Sequence, residues 1–230
     1  MTNSKTAASL WVGQTLHFTC LTLLLFPVYG AWQYIGGPFP VFFWCAVAVP
    51  VVHQIVVWLA WRLEIQSAAT SKTIGFHGYV VIFFVLFAGR FVSLFTLAWV
   101  DRGSLDLNVL PVTILTILLA LPGIYAIYSV QRYFGMTRAA GADHFDSRYR
   151  SMPLVKKGIF RFTNNGMYLY AFLLFWAGAV GLNSRAALIV AAFSHVYIWV
   201  HFYATEKPDM NYLYSATAKQ GQSDAAEASS

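Results

Sequence analysis

Apolar stretches long enough to cross a lipid bilayer are the feature that most constrains this fold. A helix needs roughly 20 apolar residues to cross a hydrocarbon core of about 30 Å. Four runs meet that length, at residues 11–31, 39–61, 74–100 and 109–130. Two shorter runs, 167–182 and 186–203, flank a polar turn and predict a helical hairpin. We therefore predict an all-α, multi-pass membrane protein with about six transmembrane helices.

The distribution of positive charge decides between nucleic acid and membrane lipid as the acidic partner of this chain, whose formal net charge is +6. If the N-terminus is cytosolic and the chain crosses six times, twelve Lys and Arg residues lie on the inner side and only Arg102 and Arg185 lie outside. This bias follows the positive-inside rule and brings the basic segments to the anionic cytosolic leaflet. We predict a lipid partner, no nucleic acid, and cytosolic termini in a bacterial inner membrane or the endoplasmic reticulum.

The polar segments predict one domain, residues 1–214, followed by a disordered tail at 215–230 that is rich in Ala, Ser and Gln. The apolar pattern stops at residues 131–151, where a surface segment with an interfacial helix around Tyr133, Phe134 and Arg138 is expected. The first apolar run has no small-residue cleavage pattern after it and is interpreted as a retained helix. Cys20 and Cys45 lie inside apolar runs without metal-ligand spacing, so neither a disulfide framework nor a metal site is predicted.

Several polar side chains fall within the predicted membrane helices. Arg90 is the most costly, because an unpaired charge inside a membrane is expensive and points to function by default. The sequence offers no obvious acidic partner for it, and a long Arg side chain can also snorkel or hydrogen-bond to a neighbour. His17, His53 and His195 are interpreted as structural histidines with hydrogen-bond partners, although His17 and His53 lie at comparable depth.

The hairpin predicts where chemistry is concentrated. Its turn at Asn183 is tight, so the two arms pack antiparallel and their far ends become neighbours. Tyr168 at the start of one arm then lies near His201 and Glu206 at the end of the other. The lead-in to the hairpin also crowds Lys156, Lys157 and Arg161 around Gly158. This pattern is typical of phosphate binding as much as of positive-inside charge.

The same residues carry a resemblance to a known family. The motifs are Leu154-Val155-x-x-Gly158-Ile159-Phe160-Arg161, then Asn164-Asn165-Gly166-Met167-Tyr168, then Thr205-Glu206-Lys207-Pro208-Asp209-Met210 and Tyr212-Leu213-Tyr214. Residues 131–214 resemble the C-terminal half of the integral-membrane methyltransferases. That group includes phosphatidylethanolamine N-methyltransferases and isoprenylcysteine carboxyl methyltransferases. The sequence of the segment around Glu206 is more similar to that of the phospholipid branch.

The resemblance implies S-adenosylmethionine as methyl donor and a membrane phospholipid as acceptor, with the C-terminal hairpin forming the cofactor site. It implies no metal. The implied cofactor-binding residues are Gly158, Asn165, Tyr168, His201 and Glu206. Of these, His201 and Glu206 are the implied catalytic pair, with His201 as the base that deprotonates an amine. Lys157 and Arg161 would hold the phosphate of the lipid.

Two departures from the family pattern concern the cofactor site. The family commonly has Pro where this chain has Gly166, so a turn fixed by proline is replaced by a freer one. The family often has paired acids before a later Pro, whereas here Glu206 is followed by Lys207. Asp209 is a candidate substitute for the second acid.

Rival functions remain at this point. A carboxyl methyltransferase acting on a prenylated cysteine would share the cofactor site and need no base, because a carboxylate is already nucleophilic. A small transporter or channel would instead use Arg90, His17, His53 and His195 as a polar path through the membrane. A structural membrane protein would bind no cofactor.

Overall fold

The computed structural model describes residues 9–215, and this part of the chain contains helices and turns but no strand. The α-helices, in chain order, are α1 Gln14–Tyr34, α2 Pro40–Ser67, α3 Ala69–Thr73, α4 Gly75–Val100, α5 Val109–Ser129, α6 Met136–Ala139, α7 Leu173–Gly181 and α8 Arg185–His201. Turns of π-helix follow α5 at Val130–Phe134, precede α7 at Met167–Ala171 and follow α8 at Phe202–Glu206. The predicted all-α class is confirmed.

Within residues 9–215, five helices are long and apolar enough to cross a membrane. They are α1, α2, α4, α5 with its π turn, and α8 with a helical extension that ends at Ser215. A shorter apolar helix, Met167–Gly181, is the first arm of the predicted hairpin. The chain is thus a multi-pass membrane protein. The predicted disordered tail lies outside the described residues except for Ser215, which is helical, and Lys5 and Lys219 also lie outside them.

Helix α8 lies at the centre of the bundle, where it packs against α1, α2, α4 and α7. Small side chains make this possible: Ala186, Ala187, Val190 and Ala191 of α8 are completely buried. Small residues let neighbouring backbones approach closely inside a membrane, where packing rather than water exclusion drives helix association. The position of α8 therefore fixes where the residues at its C-terminal end lie.

The hairpin turn closes one end of the bundle, which we call the hairpin end. Asn183 has a positive φ of 56°, and Ser184 caps α8 by accepting a hydrogen bond from the amide of Ala187 at 3.1 Å. The carboxylate of Asp101 accepts from the hydroxyl of Ser184 at 2.6 Å and from the amide of Ala186 at 2.9 Å. The predicted tight turn is confirmed, and Asp101 ties it to the end of α4.

Arg62 and Asp209 hold together the opposite end of the bundle, which we call the basic end. Their side chains form an ion pair at 2.6 Å and are both fully buried. Arg62 also donates to the carbonyl oxygens of Ser9 at 2.5 Å and Val12 at 3.2 Å. One guanidinium thus joins α2 to the start of the first helix and to the helical extension of α8.

The segment between α5 and the hairpin folds over the basic end as short turns. The expected interfacial helix around Tyr133, Phe134 and Arg138 is interrupted, because the π turn ends at Phe134 and α6 is a single turn. Gly135 separates the two with a φ of 94°, a conformation that ends a helix. The segment is tied down where Tyr79 of α4 donates to the carbonyl oxygen of Ala140 at 2.8 Å.

Candidate functional site

The π turn at Phe202–Glu206 sets the direction of the Glu206 side chain. A π turn shifts the residues after it around the helix axis and is frequent at functional sites. The N-terminal segment presses against this turn, since a Cβ at Gly13 would collide with the carbonyl oxygen of Ala204. Gln14 adds a hydrogen bond from its side-chain amide to the hydroxyl of Thr205 at 3.1 Å. Residues from the first helix therefore shape the Glu206 turn.

Tyr168 and Glu206 meet across the hairpin, as the antiparallel arms predict. The phenol hydroxyl of Tyr168 donates a hydrogen bond to the carboxylate of Glu206. The ring of Tyr168 is held by Trp199 and Phe202, with ring centroids 6.0 and 5.8 Å away. The pair joins the start of the first arm to the end of the second.

A cavity of about 600 Å3 opens beside Glu206 at the basic end, and we call it the polar cavity. Its polar lining includes Asp143, His144, Asn164, Asn165 and Glu206. Aromatic faces complete the wall, supplied by Trp61, Phe134, Phe202 and Tyr214. The volume falls in the range of roughly 300–1,000 Å3 typical of small-molecule sites.

The floor of the polar cavity is a charged network around His144. Its Nδ1 lies 3.1 Å from the carboxylate of Asp143 and its Nε2 lies 3.5 Å from that of Asp209. Burial lowers the pKa of His144, but the two carboxylates outweigh burial and raise the pKa to about 9. Burial raises the pKa of Asp143, whereas the hydrogen bond and charge of His144 bring it below the ordinary value. The imidazole of His144 is therefore positively charged at neutral pH.

Trp61 lies between this network and the inner part of the bundle. Its indole stacks on the ring of His144 with centroids 3.9 Å apart, and it donates a hydrogen bond to the hydroxyl of Tyr79 at 2.8 Å. The ring centroid of His201 lies 5.8 Å from that of Trp61. An amphipathic ring at this position separates a charged compartment from an apolar one.

A second cavity, of about 150 Å3, lies deeper among the helices, and we call it the inner cavity. Most of its wall is apolar, with Phe83, Phe84 and Phe87 from α4. Its polar residues are Arg90, His53, Gln54, Tyr168 and His201. Trp61, Ala139, Met167 and Tyr168 line both cavities. The two compartments therefore adjoin at the Tyr168–Glu206 pair.

Four of the predicted cofactor-binding residues line these compartments. Asn165, Tyr168 and Glu206 line the polar cavity. His201 instead faces the inner cavity, where Tyr168 is again present. The predicted catalytic pair is thus divided between two adjoining cavities, with His201 on the membrane side and Glu206 on the other.

Gly158 lies behind the polar cavity rather than in its wall. Its φ of 59° favours glycine, and an added Cβ would collide with the side chain of Ser129 and lie 2.9 Å from the ring of Tyr133. Ser129 accepts a hydrogen bond from the amide of Ile159 at 3.0 Å. The glycine lets the chain pack closely against the end of α5.

Neither Lys157 nor Arg161 lines the polar cavity or the inner cavity. Arg161 lines a surface hollow that shares Phe160 and Asn164 with the polar cavity, and Lys157 lines none of these three spaces. The structure therefore does not bring the two predicted phosphate-binding residues together with Tyr168 and Glu206. Their role in binding lipid stays a prediction.

Gly166, which replaces the usual proline, has a steric explanation. A Cβ at this position would lie 2.8 Å from Cγ2 of Ile159, so a larger residue would displace that side chain. The backbone of Gly166, with φ −55°, already has a helical conformation and leads directly into the π turn that carries Tyr168. The position of Ile159 thus favours glycine over a larger residue at this turn.

The remaining membrane histidines differ in their partners. His17 has Gln14 at 3.0 Å and the hydroxyl of Tyr197 at 2.7 Å, and His195 accepts from the indole of Trp176 at 3.1 Å. These two are hydrogen-bonded, as expected of structural histidines. His53 differs, because neither of its ring nitrogens has a hydrogen-bond partner among residues 9–215.

Asp143, His144, Trp61 and Gln54 were not predicted as site residues from the sequence. Trp61 and Gln54 come from α2, far along the chain from the motifs, and only tertiary packing brings them to the site. The run Gly141-Ala142-Asp143-His144 offered a weak signal, since two adjacent titratable residues lie in a polar segment. No spacing rule connects them to Asp209, which is their partner across the fold.

Comparison with known proteins agrees with this geometry. Residues 112–217 match the family model of the phospholipid methyltransferases. The match begins within α5 and includes the hairpin, Tyr168 and Glu206. No curated protein and no solved structure matches the chain. Residues 112–217 are therefore similar to the phospholipid methyltransferase family, a likeness that includes the Tyr168–Glu206 pair.

Proposed function

We propose that this protein uses S-adenosylmethionine to N-methylate phosphatidylethanolamine, or its partly methylated forms, at the cytosolic face of its membrane. The observation that carries the proposal is the Tyr168–Glu206 pair at the boundary of two cavities. One cavity is polar and opens at the basic end; the other is largely apolar and lies among the helices. A water-soluble donor and a lipid acceptor need such a pair of adjoining compartments.

The polar cavity suits S-adenosylmethionine in size and in chemistry. Its volume of about 600 Å3 accommodates a nucleoside with an amino-acid tail. The carboxylate of Glu206 is a match for the α-ammonium group, and the amides of Asn164 and Asn165 offer both donors and acceptors. Trp61 and Phe202 present aromatic faces that attract an adenine ring or a sulfonium cation.

S-adenosylmethionine, when bound, supplies a methyl group that its sulfonium has already activated for transfer. The nitrogen of the acceptor forms a bond to that methyl carbon while the sulfur–carbon bond breaks and its electron pair returns to sulfur. The residues around the two cavities therefore have to align nitrogen and methyl carbon and exclude water. Orientation of this kind contributes about 7–11 kcal/mol to intramolecular reactions in which alignment is ideal.

An ethanolamine headgroup must lose a proton before its nitrogen can attack. His201 is the proposed base, since it lines the inner cavity and its Nδ1 has no hydrogen-bond partner among the described residues. The ammonium proton would pass to this nitrogen, and the freed electron pair would attack the methyl carbon. Tyr168 would hold Glu206 in place and align the acceptor from the shared wall.

The cytosolic orientation is supported by charge, because the basic end carries most of the Lys and Arg residues. Arg62, Arg132, Arg138 and Arg150 all belong to the segments that meet there. A face rich in positive charge matches the anionic cytosolic leaflet.

Methyl transfer and cofactor binding by the same preparations test the proposal. We would reconstitute the full chain in nanodiscs that contain phosphatidylethanolamine and compare wild type with Glu206→Gln. The matched control is Glu64→Gln, since Glu64 is a partly exposed carboxylate bonded to Ser71 and lies on α2 outside both cavities. Wild type and the control should bind S-adenosylmethionine and methylate the lipid, and Glu206→Gln should bind it about 10- to 100-fold more weakly.

Two outcomes would contradict the proposal. Unchanged affinity in Glu206→Gln would remove the cofactor role of this carboxylate. A second contrary outcome is normal cofactor binding with label in a prenylated cysteine and none in phosphatidylethanolamine. It would indicate that the protein is a carboxyl methyltransferase. The pH profile separates these acceptors too, since a carboxylate needs no base and its methylation should be flat from neutral to mildly alkaline pH.

A further inference from the structure

Arg90 is a buried cation with unused donors. It lies on α4, its side chain is among the buried residues at 4% exposure, and its Nε and Nη2 have no hydrogen-bond partner among residues 9–215. The guanidinium lies over the rings of Phe172 at 5.0 Å and Phe175 at 5.7 Å. Aromatic faces ease the cost of a buried cation but leave its N–H groups free to bind another group.

Other unpartnered polar atoms surround the same space. Both ring nitrogens of His53, both side-chain amide atoms of Gln54 and Nδ1 of His201 lack partners within the described residues. All three residues line the inner cavity with Arg90 and are at least 96% buried. Unsatisfied buried polar groups are costly and rare in native proteins. Their convergence on one cavity indicates a polar ligand there.

The charge of the inner cavity specifies an anion. No Asp or Glu of the described chain lines it, so Arg90 is the only residue in its wall that is always charged. A guanidinium matches the oxygen atoms of a phosphate with two parallel hydrogen bonds. Gln54 and His53 add neutral donors that fit the remaining oxygens.

The surrounding helices leave a path for lipid chains. Helices α4 and α5 form no extended contact with each other among the described residues, yet both contribute to the wall, with Phe84 and Phe87 from α4 and Ile127 from α5. Alkyl chains attached to a headgroup in the cavity can leave through this gap into the bilayer. The cavity therefore suits an amphipathic anion rather than a free inorganic ion.

We propose that the inner cavity holds the phosphodiester of the acceptor phospholipid and that Arg90 is its principal phosphate-binding residue. This rests on the proposed function, because it names which group of the acceptor binds there. Helix α4 runs from the basic end toward the hairpin end, and side chains lean toward the start of a helix. The guanidinium lies over Phe172, four residues along the chain from Tyr168, and both Arg90 and Tyr168 line the inner cavity. In the proposed complex the amine beyond the phosphate faces the shared wall.

The residues concerned lie outside the region that matches the family model. Arg90, His53 and Gln54 all precede residue 112. The proposal therefore assigns recognition of the lipid phosphate to the N-terminal helices and the methyl-donor site to the C-terminal ones. It also replaces Lys157 and Arg161 as the phosphate-binding residues.

A binding assay that does not depend on turnover tests the assignment. Native mass spectrometry of the detergent-purified full chain would be titrated with phosphatidylethanolamine and with diacylglycerol of the same acyl chains. Wild type should prefer the phosphate-bearing lipid, and Arg90→Met should bring the two affinities to within a few fold. Arg102→Met is the matched control, since Arg102 stacks on Trp99 at the hairpin end, and it should keep the preference.

Kinetics provide the second readout. Arg90→Met should raise the KM for phosphatidylethanolamine by about 10- to 100-fold, the loss expected for hydrogen bonds to a charged group. Its affinity for S-adenosylmethionine should stay within twofold of wild type. A merely structural role would instead change cofactor and lipid binding together. If Arg90→Met fails to fold, Gln54→Leu carries the same test, because it removes two polar atoms from the cavity and leaves the charge in place.

The outcomes separate this inference from the proposed function. An unchanged lipid preference in Arg90→Met overturns the inference. If the preference is lost in Arg161→Met instead, the phosphate binds in the surface hollow near Asn164. Normal methylation of phosphatidylethanolamine that is insensitive to Arg90 also overturns the inference and leaves the proposed function standing. An Arg90-dependent lipid preference in a protein that transfers no methyl group supports the site and refutes the proposed function.

Discussion

Removal of the Asp209 carboxylate should destabilise the protein more than any other single change at the basic end. Asp209 and Arg62 are both fully buried and lie 2.6 Å apart. Asp209→Ala would leave the buried Arg62 without its carboxylate partner and would remove one of the two carboxylates beside the charged imidazole of His144. Breaking a buried ion pair in this way typically costs about 3–5 kcal/mol.

The expected loss corresponds to a fall of roughly 6–20 °C in melting temperature, at about 2–4 °C per kcal/mol for a chain of this size. Intrinsic tryptophan fluorescence of the detergent-solubilised protein measures it. The matched control is Asp146→Ala, since Asp146 and Arg148 also lie 2.6 Å apart but the arginine is 85% exposed. Exposed ion pairs contribute little to stability, so the melting temperature of this variant should be close to that of wild type.

A double-mutant cycle separates the ion pair from other effects. Arg62→Met combined with Asp209→Leu should lose much less stability than the two single substitutions added together, because apolar residues of similar size often replace a buried pair at little cost. A melting temperature of Asp209→Ala close to wild type would refute this reasoning. So would an equal loss in the Asp146→Ala control.

Three further predictions concern single contacts. Gly158→Ala should lower the melting temperature clearly, because its Cβ collides with Ser129 at a positive φ, while cofactor affinity per folded molecule should change little. The network around His144 should stabilise the protein fully below the ordinary histidine pKa of 6.5 and lose that contribution as pH rises through about 9; thermal melts between pH 6 and 10 should show it, and His144→Asn should flatten the trend. Asp101→Ala should destabilise the hairpin end by leaving the Ser184 hydroxyl and a helix amide unpaired, which hydrogen exchange at that turn would detect.

The sequence was sufficient for the membrane architecture because hydrocarbon thickness sets helix length. The apolar runs predicted the long helices, and the tight turn at Asn183 predicted that the far ends of the hairpin arms lie together. That local geometry was enough to predict the meeting of Tyr168 with Glu206, now seen as a direct hydrogen bond. The lengths of the two arms and of the turn between them are enough to predict this contact.

The rest of the site depends on contacts between distant segments, which periodicity does not encode. Arg62 and Asp209 are far apart in sequence, and nothing in either segment alone identifies the other as its partner. The division of His201 and Glu206 between two cavities follows from the π turn that separates them, and hydrophobic spacing does not reveal such a turn. Gly158 belongs to one of the motifs that carry the family resemblance. Its neighbours are Ser129 and Tyr133, so its observed role is close packing of the chain against the end of α5.

The most direct test of the account is to identify the methylated product. Purified protein would be incubated with total lipid extract and radiolabelled S-adenosylmethionine, and the lipids would be separated by chromatography, with Glu206→Gln beside wild type. The account predicts label in mono-, di- or trimethylated phosphatidylethanolamine that disappears in the variant. Lipid label that persists in Glu206→Gln, or no label in any lipid despite measurable cofactor binding, would contradict it.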